Sequence, residues 1–288
     1  MRNLRPYQGQ SFDFHNAILE SKRNTDQDPT YKDRVRELAE VIEQKFEEYD
    51  ENFEENTLDN LECHGYQNIE KSDLLKLYRF KSRLIQELKL EVTTSEFNRR
   101  LNTCQNCTIS EINSMDHFVS KEEFPEYTVH PKNIFPSCTT CNSYKNKIWR
   151  IDGRIQFLNL YLDELPEQQY LFVNIGVELE ENVITTEFYI DNRNNIDEAK
   201  YNLIRNHYER LHLCERFERN NDVVISPLEN IIRTFSQTLE IEEVKELIEE
   251  TSLRNKIYYG QNYWKSILEI ALVNNEDFLS LVSQEQSV

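Results

Sequence analysis

Glycine and proline are scarce, with 5 Gly and 7 Pro in 288 residues. That poverty excludes a collagen-like or low-complexity chain. It also fits the absence of any nucleotide-binding run of the form G-x-x-x-x-G-K-[ST]. No window approaches about 18 consecutive apolar residues, the length a membrane helix needs. The stretch 1–16 has no uninterrupted apolar core of signal-peptide length. A cytoplasmic protein without membrane contact is expected. Positive charge is also in short supply, since 33 Lys and Arg face 52 Asp and Glu for a net charge of −19. A chain this acidic repels polyanions, so any nucleic-acid site has to differ locally.

What remains is a chain of 38% hydrophobic and 30% charged residues, which reads as globular and helix-rich. Its length allows one large or two modest domains at roughly 100 to 200 residues each. From Tyr31 to about Asn56, Val35, Leu38, Ile42, Phe46, Tyr49 and Phe53 recur at steps of three and four, predicting one long amphipathic helix with an acidic polar face. A second helix is expected to start at Ser72 or Asp73 and run through Leu88. Tyr170 to Leu179 and Val183 to Ile190 are β-prone runs that read as a hairpin. A helix from about Asp197 to Glu218 should follow, then one opened by the capping box Ser226-Pro227-Leu228-Glu229, then further helices to about Asn274 with Trp264 as a packing residue. Composition divides the chain into a helical region 1–98, a block 99–150 rich in Cys, Asn, Ser and Thr, and a hairpin-plus-helix region 151–288.

Four of the 6 cysteines fall into two C-x-x-C pairs, Cys104/Cys107 and Cys138/Cys141. In a cytosolic chain that spacing points to a thiolate metal site rather than disulfides. Four thiolates suit tetrahedral Zn²⁺, because each pair turns both sulfurs toward one ion, and a closed site of this kind is structural. Cys63 and Cys214 are not needed as ligands. The 30 residues from Thr108 to Ser137 exceed a simple zinc ribbon, so a folded insert must lie between the pairs.

That insert carries Asp116-His117 after the first pair, Asn133 before the second, and Asn142 directly after Cys141. In order, spacing and chemistry the segment from Cys104 to Lys147, about a sixth of the chain, resembles an HNH endonuclease with a ββα-metal core. The resemblance implies an α+β, mostly helical protein in which a zinc-bound ββα-metal nuclease core is flanked by N-terminal helices, C-terminal helices and the β-hairpin. It implies that His117 is the general base for the attacking water. Asp116 and Asn142 would hold one catalytic Mg²⁺ or Mn²⁺, and Asn133 would fix the loop that aims His117. The last position is often histidine in such proteins. Asn142 offers a neutral hard oxygen instead, which favours Mg²⁺.

The chemistry is coherent without the family. Phosphodiester hydrolysis needs a base, charge neutralisation and stabilisation of the leaving 3′ oxygen. A histidine titrating near neutrality supplies the first if its other ring nitrogen is anchored. Adjacent strand residues point to opposite faces, so Asp116 and His117 should meet only at a bulge or a strand end near Phe118. His130 has no matching role and reads as loop structure. From Arg99 to Arg150 seven basic residues face five acidic ones, leaving −21 for the rest of the chain. Lys145, Lys147 and Arg150 are expected on the helix after Cys141, with Lys145 and Lys147 as phosphate contacts. The resulting expectation is DNA cleavage to 5′-phosphate and 3′-hydroxyl ends, with RNA an alternative substrate because the catalytic chemistry does not require a deoxyribose. An HNH core with helical flanks resembles nuclease subunits of bacterial anti-phage systems, several of which work beside an ATPase. An ATPase partner or a second copy of the chain is the expected companion. The competing expectation is a noncatalytic zinc-stabilised module that binds protein or nucleic acid.

Overall fold

The computed structural model describes residues 1–94 and 99–284. Residue 98, the expected end of the first composition region, lies outside them. About half of the chain is helical and its sheets are small and antiparallel, an α+β architecture dominated by helices. Two compact units emerge, one made of residues 3–106 and 110–164, the other of 165–288 with 1–2 and 107–109. The N-terminal helices and most of the cysteine block, though not residues 107–109, thus fall in one unit.

The first unit opens with helices α1 (Ser11–Ser21), α2 (Tyr31–Glu37) and α3 (Ala39–Glu54). The single helix expected over 31–56 is therefore broken at Leu38, although Val35, Ile42, Phe46, Tyr49 and Phe53 are all buried as their spacing requires. Next come α4 (Asn68–Leu77) and α5 (Arg83–Thr93), separated by the loop 78–82. Asp73, expected to cap a helix, lies inside α4 instead. It is buried at 1% exposure and bonded to Arg34 Nε at 2.7 Å and Lys76 Nζ at 2.9 Å. Burial alone would raise its pKa, but the two cationic donors outweigh that and hold it below the usual carboxylate range. This pair ties α2 to α4.

Strand β1 (Ser114–His117) pairs antiparallel with β2 (Ile134–Ser137), placing Asp116 opposite Phe135 and His117 opposite Ile134. Helix α6 (Thr139–Lys145) follows at once. Its N-cap is Cys138, whose Sγ accepts from the Cys141 N–H at 3.4 Å. The helix stops early because Asn146 adopts a positive φ of 52°. Of the three basic residues expected on this helix only Lys145 is on it: Lys147 lies in the turn beyond, and Arg150 is on the short strand β3 (Arg150–Ile151), paired with β4 (Arg154–Ile155). The Arg150 guanidinium lies 4.4 Å from the Trp149 ring and donates to the carbonyls of Asp59 and Leu61, which makes it a structural cation rather than a phosphate ligand.

In the second unit β5 (Leu171–Glu178) and β6 (Val183–Ile190) form the expected hairpin, with Asn182 in the left-handed region at the turn. Helices α7 (Glu198–Arg210) and α8 (Leu213–Glu218) split the expected 197–218 helix at His212, whose φ of 51° breaks the ladder. Asp197 caps α7 by accepting from the Lys200 N–H at 3.0 Å. Helices α9 (Asp222–Phe235), α10 (Ile241–Tyr259), α11 (Trp264–Val273) and α12 (Glu276–Gln284) complete the unit. The start expected at Ser226 is wrong, since α9 begins four residues earlier and carries Pro227 inside it. Ser226 and Pro227 sit on an exposed face, where water can take the place of the missing N–H donor. The true capping box opens α10 at Glu240 and Glu243. Trp264 is fully buried and stacks on Phe217 at 5.3 Å. It is core.

Candidate active site and metal centre

The four paired cysteines come together. Sγ atoms of Cys104, Cys107, Cys138 and Cys141 all lie within 4.8 Å of one another, and all four residues are buried. A tetrahedron of thiolates with Zn–S near 2.3 Å has sulfur-to-sulfur edges of about 3.8 Å, so the donor set fits a metal of zinc's size. None of the cysteines forms a disulfide. Cys63 is exposed and Cys214 partly buried, its thiol pushed up to about 12 by burial and then by Glu218. Neither joins the cluster.

Beside it the ββα segment converges. His117 is the last residue of β1, and the strand end, with no bulge, brings Asp116 and His117 to one cavity of about 660 Å³. Asn142, Tyr78, Phe80, Lys121 and Lys147 also line it. His117 Nε2 lies 2.8 Å from the Thr128 carbonyl oxygen. A carbonyl only accepts, so Nε2 carries the proton and the neutral ring keeps its lone pair on Nδ1. Asp116 Oδ1 accepts from the His117 backbone N–H at 2.8 Å. Asn142 Nδ2 donates to Ser114 Oγ at 2.8 Å, which leaves Asn142 Oδ1 as the oxygen of that amide with acceptor capacity.

Asn133 is fully buried and holds the loop between the strands by three bonds. Its Oδ1 accepts from Val119 N–H at 2.7 Å, while its Nδ2 donates to the carbonyls of Val119 and Tyr127 at 3.1 Å each. Thr128, the anchor of the His117 ring, directly follows Tyr127. Sequence spacing passed over Tyr49, whose hydroxyl on α3 adds a bond to Asn133 Oδ1 at 3.3 Å. No local signal could reveal a partner 84 residues away.

The electrostatics correct one expectation. His117 was to titrate near neutrality, but burial first and Lys121 second draw it down to about 3. Burial raises the Asp116 carboxyl against the pull of Lys145, and burial lowers the Lys145 ammonium. Lys145 Nζ donates to the His117 carbonyl at 2.6 Å and stands 3.5 Å from Asp116 Oδ2. It is buried beneath the strand end, so of the two expected phosphate contacts only Lys147 is exposed on the cavity wall. Asp116 and Asn142 nonetheless bring one anionic and one neutral hard oxygen to the cavity, a donor pair suited to Mg²⁺ or Mn²⁺.

His130, expected as loop, is a buried core ring whose centroid lies 4.1 Å from Tyr49 and 4.4 Å from Phe46. Burial draws His130 down to about 3 and His15 down to about 4. Both therefore stay neutral in the folded chain below pH 6.5, where the unfolded chain takes up protons. Each ring's contribution to stability is complete above about pH 7 and is lost as pH falls, by about 1.4 kcal/mol per pH unit. Burial raises Glu126 and Glu269, which act in the opposite direction, so the histidine contribution is read as a difference. Stability of His130→Phe relative to wild type, from urea midpoints, should improve steadily from pH 7 to pH 5. A pH-independent difference contradicts the assignment.

No family model matches the chain, and no solved structure matches it. The chain is similar to protein ea31 of Escherichia phage lambda, 26% identical over 182 residues. The match covers 59% of this chain and spans 60% of that relative's length.

Proposed function

We propose that the chain is a metal-dependent HNH endonuclease that hydrolyses DNA phosphodiester bonds, with Zn²⁺ in the four-cysteine cluster as scaffold. The observation that carries this reading is the His117 ring, tautomerically fixed by Thr128, at a cavity shared with Asp116 and Asn142. Mg²⁺ or Mn²⁺ held by Asp116 and Asn142 would neutralise phosphate charge and favour departure of the 3′ oxygen. His117 accepts the proton of the attacking water at Nδ1. Its low proton affinity keeps the ring neutral and ready, and the negative charge of a docked phosphate raises that affinity toward what a base requires. Asn133 holds the loop that carries Thr128, and Lys147 meets phosphate oxygens. RNA is the alternative substrate. The cytoplasmic setting, the role in anti-phage defence and a partner protein, either an ATPase or a second copy of the chain, rest on the HNH resemblance and on the charge balance.

One observation favours a noncatalytic zinc-stabilised module instead. The Lys145 ammonium already serves Asp116 as a counter-ion and would compete with a divalent cation there. Cleavage separates the two readings. The isolated chain is expected to nick supercoiled plasmid slowly in Mg²⁺, and faster when purified with the products of its neighbouring genes, because a surface this acidic adds little DNA affinity of its own. Rapid cleavage by a monomer, unaffected by any neighbour, would remove the partner and keep the nuclease. No cleavage under any of these conditions would favour the noncatalytic module.

A further inference from the structure

In a chain of net charge −19, the eight residues Lys76-Leu77-Tyr78-Arg79-Phe80-Lys81-Ser82-Arg83 hold four basic side chains, two aromatics and no acid. The run spans the end of α4, the loop 78–82 and the start of α5, and its loop forms one wall of the cavity that contains Asp116 and His117. Two of the four cations are spent locally. Lys76 pairs with Asp73 at 2.9 Å, and Arg83 pairs with Glu87 at 2.7 Å. Arg79 and Lys81 are exposed and form no ion pair among the described residues.

The aromatics divide similarly. Tyr78 is fixed in place, its hydroxyl donating to the Met115 carbonyl at 2.9 Å and its ring meeting His117 edge-on at 4.7 Å between centroids. Lys121 Nζ stands over that ring at 4.9 Å. Phe80 is tied at its backbone, where its carbonyl accepts from Gln86 Nε2, and its ring meets only Lys89 Nζ, 5.9 Å from the centroid, among the described ring contacts. It is partly exposed, lines the same cavity, and is flanked in sequence by Arg79 and Lys81. A partly exposed aromatic on a cavity wall, flanked in sequence by two exposed cations that form no ion pair among the described residues, is more than the core requires. It is the arrangement by which proteins hold unpaired nucleic acid, with bases stacked on the ring and phosphates met by the cations. Duplex DNA keeps its bases stacked on each other and offers this ring nothing.

We infer that the loop 78–82 is the substrate-gripping element of this site and that the substrate is DNA with unpaired bases: a single strand, a bubble or a flap. Phe80 stacks on a base next to the scissile phosphate, while Arg79, Lys81, Lys121 and Lys147 contact the backbone. This rests on the nuclease reading for the meaning of "scissile", but binding can be measured without cleavage. The two can therefore fail separately.

The test uses the full zinc-loaded chain carrying His117→Gln, with fluorescent 20-mers of oligo-dT, the same length of duplex DNA and oligo-U, at fixed ionic strength. Oligo-dT should bind at least about tenfold more tightly than duplex, and Phe80→Ala should weaken it by about tenfold, with Phe80→Trp restoring it. Arg79→Ala and Lys81→Ala should each reduce the salt dependence of binding by close to one phosphate contact. In parallel, the cleaving chain should cut a bubble substrate faster than its fully paired counterpart. Equal affinity for duplex, preference for oligo-U, or unchanged oligo-dT binding by Phe80→Ala overturns the inference while leaving plasmid cleavage intact. Tight, Phe80-dependent oligo-dT binding with no cleavage of any substrate supports the grip and removes the nuclease reading instead.

Discussion

Replacing His117 by Gln lowers cleavage by about 10² to 10⁴-fold while the chain keeps its zinc and its helix content. That magnitude is what loss of a positioned general base typically costs. Glutamine is the informative replacement. Its amide N–H can still donate to the Thr128 carbonyl, which His117 Nε2 reaches at 2.8 Å, so the loop keeps its bond while the lone pair of Nδ1 is gone. His117→Ala should lose activity to the same extent, with an added stability cost of about 1 to 3 kcal/mol because the buried carbonyl is left unpaired. Rates are read in single-turnover plasmid nicking, and zinc by metal analysis of the same samples. Wild-type turnover in His117→Gln takes the residue out of the mechanism.

Cys138→Ser should cost zinc and stability together, by more than about 4 kcal/mol, because structural zinc binding is coupled to folding. Cys138 has two roles at once. It supplies one sulfur of the cluster and caps α6 through the Cys141 N–H. That helix carries Asn142 and Lys145, so the site should loosen with the cluster and cleavage should fall as well. Thermal melting with and without a chelator, beside zinc stoichiometry, checks this. Full stability of the mutant, or of the chelated wild type, contradicts the scaffold role.

The cysteine cluster was legible because C-x-x-C spacing is set by the chemistry of one ion and needs no tertiary knowledge. The ββα order and the neighbouring positions of Asp116 and His117 at a strand end followed from the HNH resemblance and from strand alternation. Helix interruptions were less visible. The breaks at Leu38 and His212 occur within apolar periodicity that carries straight through, and only the positive φ at His212 marks the second. Pro227 misled because proline at a first helical turn and proline tolerated on an exposed face look alike in one dimension. Charge was misjudged at Lys145 and Arg150 for a related reason. A basic residue's sign is read from sequence, but whether it meets solvent, a carboxylate or an aromatic ring depends on where α6 stops. Histidine ionisation was misjudged likewise, since burial, which dominates at His117 and His130, is a property of the packed unit.

The measurement closest to the central claim is conversion of supercoiled plasmid to nicked circles by the zinc-loaded chain, with Mg²⁺ or Mn²⁺ added or withheld. Cation-dependent nicking that leaves 5′-phosphate and 3′-hydroxyl ends, and that is lost in Asp116→Asn with the zinc retained, is the predicted result. Absence of nicking in either cation, by the chain alone and with the products of its neighbouring genes, would contradict it.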